Sequence, residues 1–128
     1  RWRWPRADYA EGRAGYKSWR RDLYTRHAEA VVELLQELGL DDGLQERVAS
    51  LIGKKNRTTD AESQTLEDVA CMVFLDHEFE AFAAKHERPK LIRIVQKTWQ
   101  KMSENAREAA LTLELSDDLG GIVKEALA

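Results

Sequence analysis

The chain has 128 residues, of which 43% are hydrophobic and 34% charged, with a net charge of −3. That length suits one domain around one core, and the balance of apolar and charged residues excludes a disordered chain. No apolar run reaches the roughly 18 residues of a membrane span, and the single cysteine, Cys71, forbids an internal disulfide, so a reducing cytoplasm is the expected setting.

Charge is distributed unevenly. Residues 1–27 carry eight Lys/Arg against three acids, a net of +5, which leaves −8 for the remainder. The same segment holds six of the ten aromatic residues. Cations interleaved with rings are what a phosphate-gripping, base-stacking surface needs. They equally make a structural arm whose rings cover a helical core while the charged heads stay in water. Pro5 and Gly12 punctuate this stretch and its rings follow no period, so residues 1–14 read as an arm and residues 15–128 as the helical domain. The chain does not begin with Met, and upstream helices are expected before the arm. The start RWRWPR lacks the apolar stretch of a signal peptide.

From about Tyr16 to Leu38 the positions Trp19, Leu23, His27, Val31, Leu34 and Leu38 recur at helical spacing, and Gly39 is a natural C-terminal stop. Asp41 or Asp42 caps a second helix with the stripe Leu44, Val48, Leu51 or Ile52, then Lys55. A loop, GKKNRTTD, follows. Thr59 with Glu62 offers a capping box, and Asp60 competes as the cap. The most apolar segment, TLEDVACMVFLDHEFEAF, then forms a central helix to about Lys85 or His86. On a uniform helical period Asp68, Met72, Leu75, Phe79 and Phe82 share its inner face, which places a carboxylate among core side chains. Pro89 opens a further helix facing inward through Leu91, Ile92, Val95, Trp99 and Met102. Ser103 caps a short one to about Leu113, and Ser116 or Asp117 caps the last, weakened by Gly120 and Gly121. The expected fold is all-α, a single-domain bundle of five or six non-parallel helices.

Three inward polar groups on successive helices, His27, Lys55 and Asp68, are the candidate pocket. Their order resembles the HD-type phosphohydrolase superfamily. HAEAVVELLQELGL is similar to its first element, with His27 in a ligand position. ERVASLIGKK resembles the second, with Lys55 where a ligand histidine is expected, and LEDVACMVFL resembles the third. Asp68 matches the first Asp of that element, Ala70 replaces the second, and the defining His-Asp doublet has no counterpart. The segments RAGYKSWR, QTLEDVACMVFLDHEF, FAAKH and KTWQKMS resemble, across nearly the whole chain, a family known only as a domain of unknown function. These resemblances imply an HD-like helical architecture and little about chemistry.

The residue types favour one reading of the pocket. His27 and Asp68 are the metal candidates, yet a catalytic divalent ion takes about three protein ligands, and a lysine beside it repels the ion while favouring a phosphate or carboxylate. A divalent metal is therefore admissible but not favoured, and no cofactor is specified. The expected function is binding of a phosphorylated small molecule or nucleotide between helices. Lys55, Arg20 and Arg57 would supply charge, and Trp19 or Tyr16 a stacking surface. The alternatives are a metal-dependent phosphohydrolase and a nucleic-acid-binding helper using the arm, the last disfavoured by the acidic total. A structural alternative makes the same three groups an internal cluster that fixes helix packing. No P-loop, G-x-G-x-x-G, G-x-S-x-G or C-x-x-C motif occurs, and Cys71 reads as an inert core thiol.

Overall fold

The computed structural model describes residues 3–55 and 59–128. The protein is all-helical, with no strand among the described residues. It divides into two compact units, Arg1–Ser63 and Gln64–Ala128.

In the first unit a 3₁₀ turn (Arg6–Asp8) leads into the long helix α1 (Gly12–Glu37), which begins three residues before the expected arm boundary. The arm lies close against this helix. A Cβ added at Gly15 would stand 1.7 Å from the Ala10 carbonyl oxygen, so only glycine admits that approach. α1 ends as the sequence predicts: Gly39 is left-handed (φ 71°), its N–H donates to Gln36 O at 2.9 Å, and the Leu40 N–H donates to Leu35 O at 3.1 Å. The second helix, α2 (Asp42–Ile52), is capped by Asp41, whose carboxylate accepts from the Leu44 N–H at 3.0 Å. It ends in the same hydrogen-bonded motif, Lys54 N–H to Leu51 O at 3.1 Å and Lys55 N–H to Ser50 O at 3.2 Å, but here the left-handed residue is Lys54 (φ 54°).

Two expected stripes shift on folding. On α1 Trp19 and Leu23 are buried and His27 and Val31 half-buried, while Leu34 and Leu38 are 52% and 65% exposed. On α2 the buried residue is Gln45, whose side-chain amide donates to Leu40 O at 2.7 Å; Leu44 and Lys55 are exposed.

Asp60, rather than the Thr59 box, meets the start of α3 (Ala61–Val73), accepting the Ser63 N–H at 2.7 Å. α3 continues through a π-helical turn (Phe74–Glu78) into α4 (Phe79–Ala83), one rod over residues 61–83. Counting that rod once, the described residues form six helices. Its buried line is Ser63, Glu67, Cys71, Leu75 and Phe79, a step of four each time. Four residues overshoot an α-helical turn by about 40°; the π turn, closing on i→i+5, takes up that drift. The uniform period places Leu75, within the π turn, and Phe79, just after it, correctly. Before it the same period is one residue out, so Cys71 and Glu67 are buried where Met72 and Asp68 were expected.

The second unit packs this rod with α5 (Arg88–Lys101), α6 (Glu104–Ala110) and α7 (Asp117–Leu127). Its core includes Phe79, Leu75, Leu91, Val95, Met102, Ile122 and Cys71. Phe79 and Val95 are fully buried, each contributing about 1.5–3 kcal/mol of apolar burial. Pro89 lies in the first turn of α5, and Ser103 caps α6, its hydroxyl accepting the Ala106 N–H at 3.2 Å. α6 stops at Ala110, short of the expected Leu113. The Thr112 hydroxyl donates to Ala109 O at 2.8 Å, a local bond that competes with helix continuation.

Candidate functional site

α1 and α2 leave a cleft of about 450 Å³ between them. Its floor is small and apolar, from Ala28, Val32 and Ala49, because Gly53 brings the end of α2 close to α1: a Cβ there would meet Ala28 Cβ at 3.8 Å and Ala49 O at 3.0 Å. Lys55 lines the cleft, so its exposure at the end of α2 puts the ammonium at an opening rather than in a core. In the same unit, two cations lie over one ring. The Arg20 guanidinium lies 5.4 Å and the Lys54 Nζ 5.7 Å from the centroid of Tyr24, and the Arg20 side chain donates to the Tyr24 hydroxyl at 3.4 Å. Cations at this range are attracted to the π face. Sequence reasoning missed Tyr24 as the ring, although its spacing of four from Arg20 would have found it.

Trp19, expected as a stacking surface, is 9% exposed, and its indole N–H donates to Trp4 O at 2.9 Å. It is an anchor for the arm. Tyr16 is exposed, its ring 5.8 Å from that of Trp19. His27 carries its ring 5.6 Å from that of Trp4, which Arg26 also approaches at 5.7 Å. His27 and Trp4 line a second cleft of about 420 Å³ with Arg3, Val31, Leu34 and Glu37, and Glu33 lines both clefts. The Tyr9 hydroxyl donates to Asp22 at 3.1 Å, and Arg6 donates to Tyr9 O and Gly12 O. Much of the basic aromatic arm thus has work within its own unit. Arg57 lies outside the described residues.

Asp68 belongs to the second unit and has a local task. One carboxylate oxygen accepts the Ser103 N–H at 2.8 Å and the Gln64 amide at 2.9 Å; the other accepts the Ser103 hydroxyl at 2.6 Å. Gln64 also donates to Lys101 O at 2.8 Å. The group thereby ties α3 to the junction of α5 and α6. Burial acts to raise the Asp68 pKa, but the Ser103 hydroxyl and N–H, Gln64 and the Arg107 charge outweigh it and hold the carboxyl below its ordinary value. The most buried carboxylate of the rod is Glu67, at 5% exposure, and it is itself partnered. Asp60 is held low chiefly by its hydrogen bond from Arg47, which pairs with it at 2.8 Å and also with Glu62.

This donor set does not fit a divalent-metal centre. Both Asp68 oxygens are occupied by Ser103 and Gln64, and among the described residues no group of three His, Cys, Asp or Glu side chains is placed to hold an ion. Among the same residues, no helix is long and apolar enough to cross a membrane. A family model described as a domain of unknown function (DUF4202) matches residues 1–123 of the chain. No curated protein and no solved structure matches it significantly.

Proposed function

The chain belongs to that family, which carries no assigned activity with it, and we propose that its first unit binds a phosphorylated small molecule or nucleotide in the cleft between α1 and α2. The observation that carries the reading is Lys55 lining a cleft with a small apolar floor, preceded in the chain by Lys54, which with Arg20 lies over the Tyr24 ring. Cationic side chains take the phosphate, and the small apolar floor takes the body of the ligand. Trp19 has no part in it, and Arg20, Lys54 and Lys55 are its charged residues.

The left-handed backbone at Lys54 supports the same reading. Glycine is the residue that ends a helix this way without strain, and α1 uses it at Gly39. A lysine there costs about 1 kcal/mol or more, which makes sense if its side chain is needed at that position. Lys54→Gly therefore separates stability from binding. The variant is expected to melt higher while losing affinity for inorganic phosphate and nucleoside phosphates in a calorimetric titration of the full chain. Lys55→Gln should weaken the same titration with melting unchanged. If neither phosphate nor any nucleoside phosphate gives a saturable heat with the wild-type chain, the proposal fails.

A further inference from the structure

The apolar face of α1 is covered along only part of its length. Trp19 and Leu23 are buried, His27 and Val31 half-buried, and Leu34 and Leu38 exposed. The arm covers the near part. The Trp4 carbonyl accepts the Trp19 indole N–H at 2.9 Å, and the Trp4 ring lies 5.6 Å from that of His27. Beyond Trp4 the face continues as the cleft of about 420 Å³ that His27, Ala30, Val31 and Leu34 line. Leu38 follows Leu34 by four residues, on the same side of the helix. From His27 to Leu38 the face runs roughly 16 Å, about three turns. A single exposed leucine needs no explanation; a covered face that runs on uncovered into a cleft does.

The charge around this end of the face has one sign. Residues 27–46 contain six Asp/Glu and no Lys or Arg, and Glu33 and Glu37 line the cleft itself. The one lysine or arginine on its lining, Arg3, comes from the arm. A second copy of the chain would bring carboxylates against carboxylates here, so charge selects against self-pairing through this face. The near part of the same face already accepts a segment of the opposite kind. Residues 1–14 hold four Arg against two acids, together with three rings, and they meet α1 through Trp4.

We propose that the uncovered end of this face docks a basic amphipathic helix of a partner protein. The partner's apolar side chains lie on Val31, Leu34 and Leu38, and its Lys or Arg heads turn towards Glu33 and Glu37. Apolar anchors at helical spacing give such a complex its affinity, and the charged rim gives it direction and partner choice. The surface is distinct from the phosphate cleft, whose Lys55 does not line it.

The test uses the full chain and a labelled peptide of about 14 residues, roughly 21 Å long as a helix. The peptide is made of leucine and lysine alone, with the leucines at i, i+3, i+4 and i+7. Fluorescence anisotropy is expected to show saturable one-to-one binding, with a gain of helical ellipticity on mixing. Leu34→Ser/Leu38→Ser changes exposed side chains and should weaken binding about tenfold. Glu33→Gln/Glu37→Gln should weaken it about threefold and flatten its salt dependence. Leu66→Ser/Val69→Ser, at exposed apolar positions of α3, should leave it unchanged, as should Lys55→Gln. Binding that survives Leu34→Ser/Leu38→Ser would overturn the proposal, and so would equally tight binding of the peptide with glutamate in place of lysine. No saturable binding would overturn it as well. A concentration-dependent dimer in sedimentation that Leu34→Ser/Leu38→Ser abolishes would overturn it too, because the face would then belong to a second copy.

Discussion

At the scale of single residues, Asp68 shows what a carboxylate set by helical spacing among core positions can do for a fold. In the fold it is a clamp, holding the Ser103 N–H and hydroxyl and the Gln64 amide. Removing it leaves donors without their acceptor in a half-buried place, so Asp68→Ala is expected to cost about 2–3 kcal/mol in chemical denaturation. Ser103→Ala, which also loses the α6 cap, should cost about 1 kcal/mol, and the double variant less than the sum because the two share one network. The sign of the pH effect follows from the lowered pKa. The stabilisation is complete above the ordinary aspartate value near 4 and is lost as pH falls through the lower folded value. The stability gap between wild type and Asp68→Ala should therefore be constant near neutrality and close on acidification below about pH 4. A gap that widened in acid would contradict the clamp. The sequence could supply the residue but not this role, because Ser103 lies 35 positions away and nothing local pairs it with Asp68.

At the scale of elements, local chemistry was legible wherever a short-range rule decides the outcome. Asp41, Asp60, Pro89 and Ser103 begin their helices, and Gly39 ends α1, as expected from side-chain capping and left-handed backbone. What was not legible was the face of the central rod, because a π turn at residues 74–78 changes the residue count per turn and has no sequence signature of its own. The exposed ends of the α1 and α2 stripes, Leu38 and Lys55, were misplaced for another reason: periodicity says which residues share a face, not how far the neighbouring element extends over it. The two kinds of glycine give a paired prediction. Gly15→Ala forces a methyl onto the Ala10 carbonyl, so the arm should leave α1, with a red-shifted emission as Trp19 loses its cover and a cost of about 2 kcal/mol. Gly120→Ala, with nothing within 4 Å of the new Cβ in α7, should instead raise stability by about 0.5–1 kcal/mol. A tolerated Gly15→Ala would show that the close arm contact does not hold the unit together.

At the scale of the whole molecule, the decisive quantity is where the charge lies. Residues 1–63 carry twelve Lys/Arg and eleven Asp/Glu, while residues 64–128 carry eight and twelve, for net charges of +1 and −4. A nucleic-acid surface would need the arm's cations aligned and free. Instead Arg6 donates to main-chain carbonyls, and Arg26 lies by Trp4. The rings a single strand would stack upon, Trp4 and Trp19, are used by the arm and α1 for each other. The two readings of the basic segment therefore separate by salt. A phosphate site built on two or three cations should lose affinity with a slope of log K against log salt of about −1 to −3, whereas an arm laid along a strand would engage most of its cations and give a slope nearer −5, at about 0.7 per phosphate. The expected result is a shallow slope for a nucleoside phosphate and no gain in affinity when it is extended to an oligonucleotide of ten residues. Tighter and more salt-sensitive binding of the longer strand would move the function from the α1–α2 cleft to the arm. The Gly15→Ala variant would then lose that binding, while Lys54→Gly would retain most of it.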